Sequence, residues 1–119
     1  MQTLEKRSSE SVLYDIDCSL LLAPGETIST VTTVAAEPAT TPPLAFGAAA
    51  INGAPITYTD PITGNTRVAP TATVVQVQIS GGSIASGKKV QGYVVRCKVA
   101  TSLNPAVEAT VRLQLNDTP

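Results

Sequence analysis

The chain has 119 residues, of which 43% are hydrophobic and 14% charged, and its formal net charge is −1. This length accommodates one domain with its own apolar core, and the charge balance argues against nucleic-acid or membrane partners, which need a basic surface. The chain contains no histidine, so it lacks the commonest general base and metal ligand at neutral pH. We therefore expect a non-enzymatic protein with no catalytic, cofactor-binding or metal-binding residues and no cofactor.

The N-terminal half of the chain begins with a polar arm, residues 1–11. Residues 12–22 alternate between apolar and polar side chains, with Leu20 on the apolar phase, and this predicts a half-buried strand. A Pro-Gly pair ends it. The β-branched residues 27–35 predict a second strand.

A proline-rich insertion follows at residues 36–70. Its first part cannot be a central strand, because proline donates no ladder hydrogen bond. Residues 44–51 predict a short strand, and the turn residues within 52–70 predict a β-hairpin.

The C-terminal half predicts three longer strands, at residues 71–79, at residues 90–100 and from Val107 onward. Each alternates in the same way, so we expect one side of each strand to face the core. The residues expected to point inward are Thr73, Val75, Val77, Ile79, Tyr93, Val95, Cys97, Val99, Val107, Ala109, Val111, Leu113 and Leu115.

About seven short strands with turn signals between them, and no convincing helix, predict an all-β fold. We interpret the pattern as an antiparallel immunoglobulin-like β-sandwich, a single domain at residues 12–117, with a small barrel as the alternative. The likeness to antibody domains is architectural only, because the chain has no tryptophan for their Cys-Trp-Cys signature.

Four further residues have reactive or charged side chains whose role the strand pattern does not determine. Cys18 and Cys97 fall on apolar phases and are expected to be small buried hydrophobes, while a disulfide between them is disfavoured in a reducing compartment. Asp15 and Asp17 share the polar face of the first predicted strand, and we expect them to be solvated or to face a partner.

Several motifs are similar to one known group of proteins. Residues 11–19 read Ser-Val-Leu-Tyr-Asp-Ile-Asp-Cys-Ser, and residues 25–29 read Gly-Glu-Thr-Ile-Ser. Residues 80–82 read Ser-Gly-Gly, and residues 93–101 read Tyr-Val-Val-Arg-Cys-Lys-Val-Ala-Thr. Together they resemble a widespread group of small tailed-bacteriophage structural proteins.

The resemblance covers residues 8–34 and 73–115. The chain departs from the group at Cys18, where the group usually has tryptophan, and at residues 36–70, which are longer and richer in proline. The resemblance implies an immunoglobulin-like, non-enzymatic virion component and supplies no catalytic residue.

From the resemblance we expect a capsid decoration or cement protein that stabilises the head. The alternatives are a neck or tail subunit, such as a head-to-tail connector or fibre-attachment protein, and a host-surface or carbohydrate-binding module that uses the loops at 36–43 and 52–70. The expected partners are the major capsid protein or neck and tail proteins, in a homo-oligomer or multi-copy assembly. The expected location is the virion, assembled in the host cytoplasm. Deletion of residues 1–10 is expected to leave a folded domain and to weaken incorporation into particles.

Overall fold

The computed structural model describes residues 2–59 and 62–117, and the all-β class is confirmed in them. The described residues contain ten strands and one 3₁₀ turn, Ser19–Leu21. The strands are β1 (Thr3–Lys6), β2 (Val12–Asp17), β3 (Ile28–Glu37), β4 (Leu44–Phe46), β5 (Ala50–Ile51), β6 (Ile56–Thr59), β7 (Thr66–Ala69), β8 (Val74–Gly81), β9 (Val90–Thr101) and β10 (Val107–Asn116). The ten strands exceed the expected number of about seven, because the N-terminal segment adds β1 and the short strand expected at 44–51 is divided into β4 and β5. No helix in the described part of the chain is long and apolar enough to cross a membrane.

Two main sheets contribute to one apolar core. The first sheet has the order β1-β10-β9-β3, and the second has the order β2-β8-β4 with β5 also paired to β8. All neighbours are antiparallel except β1 and β10, which are parallel. The inward faces predicted for the three long C-terminal strands are buried as expected, apart from the half-buried Val107. The alternation of the sequence therefore fixed which side of each long strand packs inward.

The N-terminal segment is a correction to the predicted arm. Residues Thr3–Lys6 form β1, in which Leu4 and Lys6 are buried and Leu4 belongs to the core. The Lys6 ammonium donates to the carbonyl of Arg7 at 2.7 Å, and burial lowers the pKa of this lysine. A lysine at an inward position gives the segment a polar composition, and this concealed the two-residue alternation of a strand.

The end of the first predicted strand is also corrected. β2 stops at Asp17, whose carboxylate accepts the backbone N–H of Ser19 at 2.9 Å and starts the 3₁₀ turn. A side chain that bonds its own backbone two residues on competes with the strand ladder. Leu20, expected to point inward, is therefore 80% exposed.

The insertion at residues 36–70 contributes to three parts of the fold. Its first two residues complete β3, and after a crossover β4 and β5 pair with β8 in the second sheet. The hairpin predicted within 52–70 is confirmed as the β6–β7 pair. Most of the insertion is therefore part of the packed domain.

One buried side chain fixes the base of this hairpin to β8. The Asn52 amide donates to the carbonyls of Ala54 and Pro70 at 2.8 and 3.0 Å. Its oxygen accepts the N–H groups of Thr73 and Val74 at 3.0 and 2.9 Å. Because all four partners are backbone groups, Asn52 holds the two ends of the hairpin segment together.

Candidate interaction surface

A cleft of about 710 Å³ lies at one edge of the two main sheets. We call it the edge cleft. Its walls come from five places in the chain: Gln2, the end of β2, the 3₁₀ turn, the β6–β7 hairpin, and residues 108–111 of β10. Distant segments thus meet at one surface.

One wall of the edge cleft is an uncovered strand edge. β1 pairs only with residues 112–115 of β10, and the Arg112 N–H donates to the carbonyl of Gln2 at 3.0 Å. Alternate residues of a strand direct their peptide groups to the same side, so the N–H groups of Thr110 and Glu108 point the same way as that of Arg112. No described residue pairs with them. β10 therefore has a row of open hydrogen-bonding groups here.

The neighbouring edge of β2 is closed by a side chain. The Gln2 amide nitrogen donates to the carbonyl of Asp15 at 2.7 Å, and its oxygen accepts the N–H of Asp17 at 3.3 Å. Gln2 thus occupies the place that a further strand would take beside β2. Of the two strand edges at this cleft, only that of β10 remains open in the described chain.

The hairpin is held against the cleft by Arg67. Its guanidinium forms an ion pair with Asp17, donates to the Ser19 hydroxyl at 2.8 Å, and lies 5.5 Å from the centre of the Tyr58 ring. Burial by itself raises the pKa of Asp17, but hydrogen bonds from Ser19 and Arg67 outweigh burial and lower it. The carboxylate stays charged at neutral pH, and the hairpin is fixed by a charge-assisted contact.

Tyr58 has an unsatisfied polar group at the same place. Its hydroxyl oxygen is buried and has no hydrogen-bond partner among the described residues. Burial, and then the charges of Asp15 and Asp17, raise the pKa of this hydroxyl, so it is a donor at neutral pH. Buried hydroxyls almost always have a partner in a complete structure.

Two exposed leucines add apolar surface. Leu20 and Leu21 lie on the 3₁₀ turn beside the cleft and are 80% and 54% exposed. Leu20 was expected inside the domain, and the turn after Asp17 places it outside instead.

The charges around the cleft are paired. Glu108 accepts from Arg96 at 3.1 Å, and Arg96 also lies 3.5 Å from Glu37. Arg96 therefore pairs with acids on neighbouring strands, while the partner of Asp17 is Arg67 from the hairpin.

The sequence predicted no catalytic, cofactor or metal site here, although Asp17, which lines the cleft, was expected to be solvated or to face a partner. Tyr58 is one of only three tyrosines in the chain, and this is the one feature that could have singled it out. In the part of the chain that the structure describes, no group of three or more cysteine or acidic residues is placed to hold a metal ion.

Comparison with known families places the chain among the structural proteins of tailed bacteriophages, the group to which its sequence motifs are similar. A family model described as podophage GP4 fiber-tail adaptor protein gp77 matches residues 6–114. Because the match covers most of the chain, this protein belongs to that family. A search of curated proteins found no match.

The family match changes the order of the functional alternatives. It does not support capsid decoration, which we put first from the sequence, and it favours the alternative of a neck or tail subunit. A tail adaptor is part of the virion, in agreement with the expected location.

Proposed function

We propose that the protein is a non-enzymatic adaptor that joins a fibre to the tail of a podophage virion. The family match over residues 6–114 carries this proposal. Its partners are then a fibre protein and a tail protein, and it is present in several copies because fibres are arranged around a tail. Assembly takes place in the host cytoplasm.

The contacts of the acidic residues support a structural role. Asp17 is held by Arg67, and Glu26 accepts hydrogen bonds from Ala23, Thr101 and Asn104. Their lowered pKa values thus have structural causes, since each carboxylate fixes a loop or the hairpin. The chain has no histidine to act as a general base.

We also propose that the two main sheets form an immunoglobulin-like sandwich. Both sheets bury side chains in one core, and β9 and β10 of the first sheet pack against β2 and β8 of the second through residues such as Tyr93 and Ile16. An experimental structure that shows the two sheets closed into a barrel would contradict this assignment.

The adaptor role is tested by removing the chain from particles. We expect phage that lack this protein to assemble heads and tails without fibres, and the purified chain to restore fibre attachment when added back. Mass spectrometry of wild-type particles should find it at a copy number tied to that of the fibres. Hundreds of copies on heads without tails would instead indicate a decoration protein.

A further inference from the structure

We propose that the edge cleft binds an extended, uncharged segment of another virion protein, which adds to the first sheet as a strand beside β10. The proposal rests on the adaptor function, because it names the surface through which the adaptor holds one partner.

The backbone of β10 provides the attachment. Residues 107–111 continue the strand beyond β1, and this open part is about 14 Å long at the usual rise per residue. The N–H groups of Glu108 and Thr110 face outward there. An added strand would continue the row that β1 begins and would satisfy these groups, which is the basis of strand-addition binding.

The side chains around this edge suit a peptide. The Tyr58 hydroxyl, which has no partner within residues 2–59 and 62–117, is a donor, and each residue of an extended segment brings a carbonyl that can accept from it. Leu20 and Leu21 offer apolar surface to alternate side chains of the segment. A segment with one apolar face would therefore bury both leucines.

The paired charges determine the chemistry of the occupant. Asp17 is bound by Arg67 and Glu108 by Arg96, so neither acid is free to recognise a cation. A charged side chain that entered the cleft would lose its hydration without gaining a free partner of opposite charge. The segment that fits is therefore uncharged.

The occupant is assigned to another protein because a second copy fits poorly. The other exposed edge of the first sheet, β3, is interrupted at Ile28/Thr30 and at Val31/Thr33 and offers no regular strand. A strand of a second copy would also bring its own packed sheet between the hairpin and the 3₁₀ turn. A single extended segment enters this space without such a layer.

Two pairs of variants test the proposal in phage that carry the full chain. Thr110→Pro removes the outward N–H, while Thr110→Ala keeps it. Leu21→Lys places a charge at the cleft, while Leu103→Lys places one at an exposed leucine outside it. We expect Thr110→Pro to fall at least about tenfold below Thr110→Ala in copies per particle, and Leu21→Lys to fall similarly below Leu103→Lys. Circular dichroism and thermal unfolding of the purified chains check that each variant is folded.

A cross-linking experiment identifies the occupant. With benzoylphenylalanine in place of Leu21, irradiated particles should yield a cross-link to a segment of a different virion protein. Equal incorporation within both folded pairs, or cross-links only to a second copy of this chain, would overturn the proposal. If particles that lack the chain keep their fibres, the adaptor function fails, while the variant pairs and the cross-link still test the cleft.

Discussion

In the core, the thiol of Cys18, the residue that follows β2, lies beside the thiol of Cys97 in β9 and donates to the carbonyl of Ile16 at 3.8 Å. Both cysteines are free and fully buried, as predicted for small apolar side chains. Their contact joins the two main sheets at the position where the similar phage proteins usually have tryptophan.

The Cys18 thiol predicts a loss of stability at alkaline pH. The neighbouring Cys97 thiol, together with burial, raises the pKa of Cys18 above its ordinary value of 9.0. Above that value the unfolded chain releases the proton while the folded chain keeps it, so the free energy of unfolding falls as pH rises. Urea unfolding from about pH 8 to pH 10 should show this decline, and Cys18→Ala should reduce its slope. An unchanged slope in the variant would assign the decline to other groups.

Glu26 predicts the opposite behaviour in acid. Hydrogen bonds from the Thr101 hydroxyl, the Ala23 N–H and the Asn104 amide lower the pKa of this buried carboxylate. The carboxylate stabilises the fold at pH values above its ordinary pKa of 4.5, and this stabilisation is lost as the pH falls through the lowered pKa. Glu26→Gln should lower the melting temperature at neutral pH and weaken the dependence on acid. The control is the exposed Glu5→Gln, which should match the wild type.

Arg67 predicts a local effect on the hairpin. Arg67→Ala removes the contacts with Asp17 and Ser19, and we expect a loss of about 1 kcal/mol in the free energy of unfolding, since the side chain is partly exposed. Amide hydrogen exchange should become faster in β6 and β7. Arg96→Ala removes two surface ion pairs and should leave exchange in the hairpin as in the wild type. If both variants loosen the hairpin equally, Arg67 is not its anchor.

Because β1 is packed in the first sheet, we expect the N-terminal segment to be needed for stability. Leu4→Ala should cost about 2–3 kcal/mol, because it leaves a cavity in the core. Leu103→Ala, at a 66% exposed site, should change stability by less than about 0.5 kcal/mol. Deletion of residues 1–10 should lower the melting temperature strongly, in contrast to the expectation of a dispensable arm. An unchanged melting temperature would restore the arm interpretation.

Replacement of Gly82 by alanine should destabilise the packing of the core. Replacement of Gly25 serves as the control that measures backbone strain alone. Gly82 and Gly25 have φ angles of +85° and +81°. A Cβ at Gly82 would lie 2.8 Å from side-chain atoms of both Leu44 and Leu115, whereas a Cβ at Gly25 meets nothing within 4 Å. Gly25→Ala should cost about 1–2 kcal/mol from strain alone, and Gly82→Ala should cost about 1–3 kcal/mol more. Thermal unfolding of both variants gives the difference, and equal losses would show that the core adjusts to the added methyl group.

The sequence predicted those parts of the fold that local alternation determines. The long strands β8, β9 and β10 have regular inward phases, and the β6–β7 hairpin has clear turn residues. β1 was missed because it is short and includes the buried Lys6. The end of β2 was misplaced because the Asp17 side chain, which bonds the backbone of Ser19, begins a turn within an apparently continuous alternation.

The edge cleft could not be predicted in the same way. Gln2, Tyr58 and Thr110 are distant in the sequence, and only the pairing of β1 with β10 and the folding back of the hairpin bring them together. An open strand edge leaves no local signal, since it depends on where a neighbouring strand ends. The motif resemblance indicated the class of protein but not this surface.

The parallel pairing of β1 with β10 has a consequence for the time at which the protein becomes competent for assembly. Thr3 pairs with Arg112, so on the ribosome β1 must wait for almost all of the described chain to be synthesised before it can join its sheet. Contacts of such high sequence separation form late, because the intervening loop must be closed first. The edge cleft, whose walls include Gln2 and residues 108–111, therefore forms only in a chain that has been translated through β10. The surface that we propose for partner binding is therefore absent from a nascent chain that lacks β10.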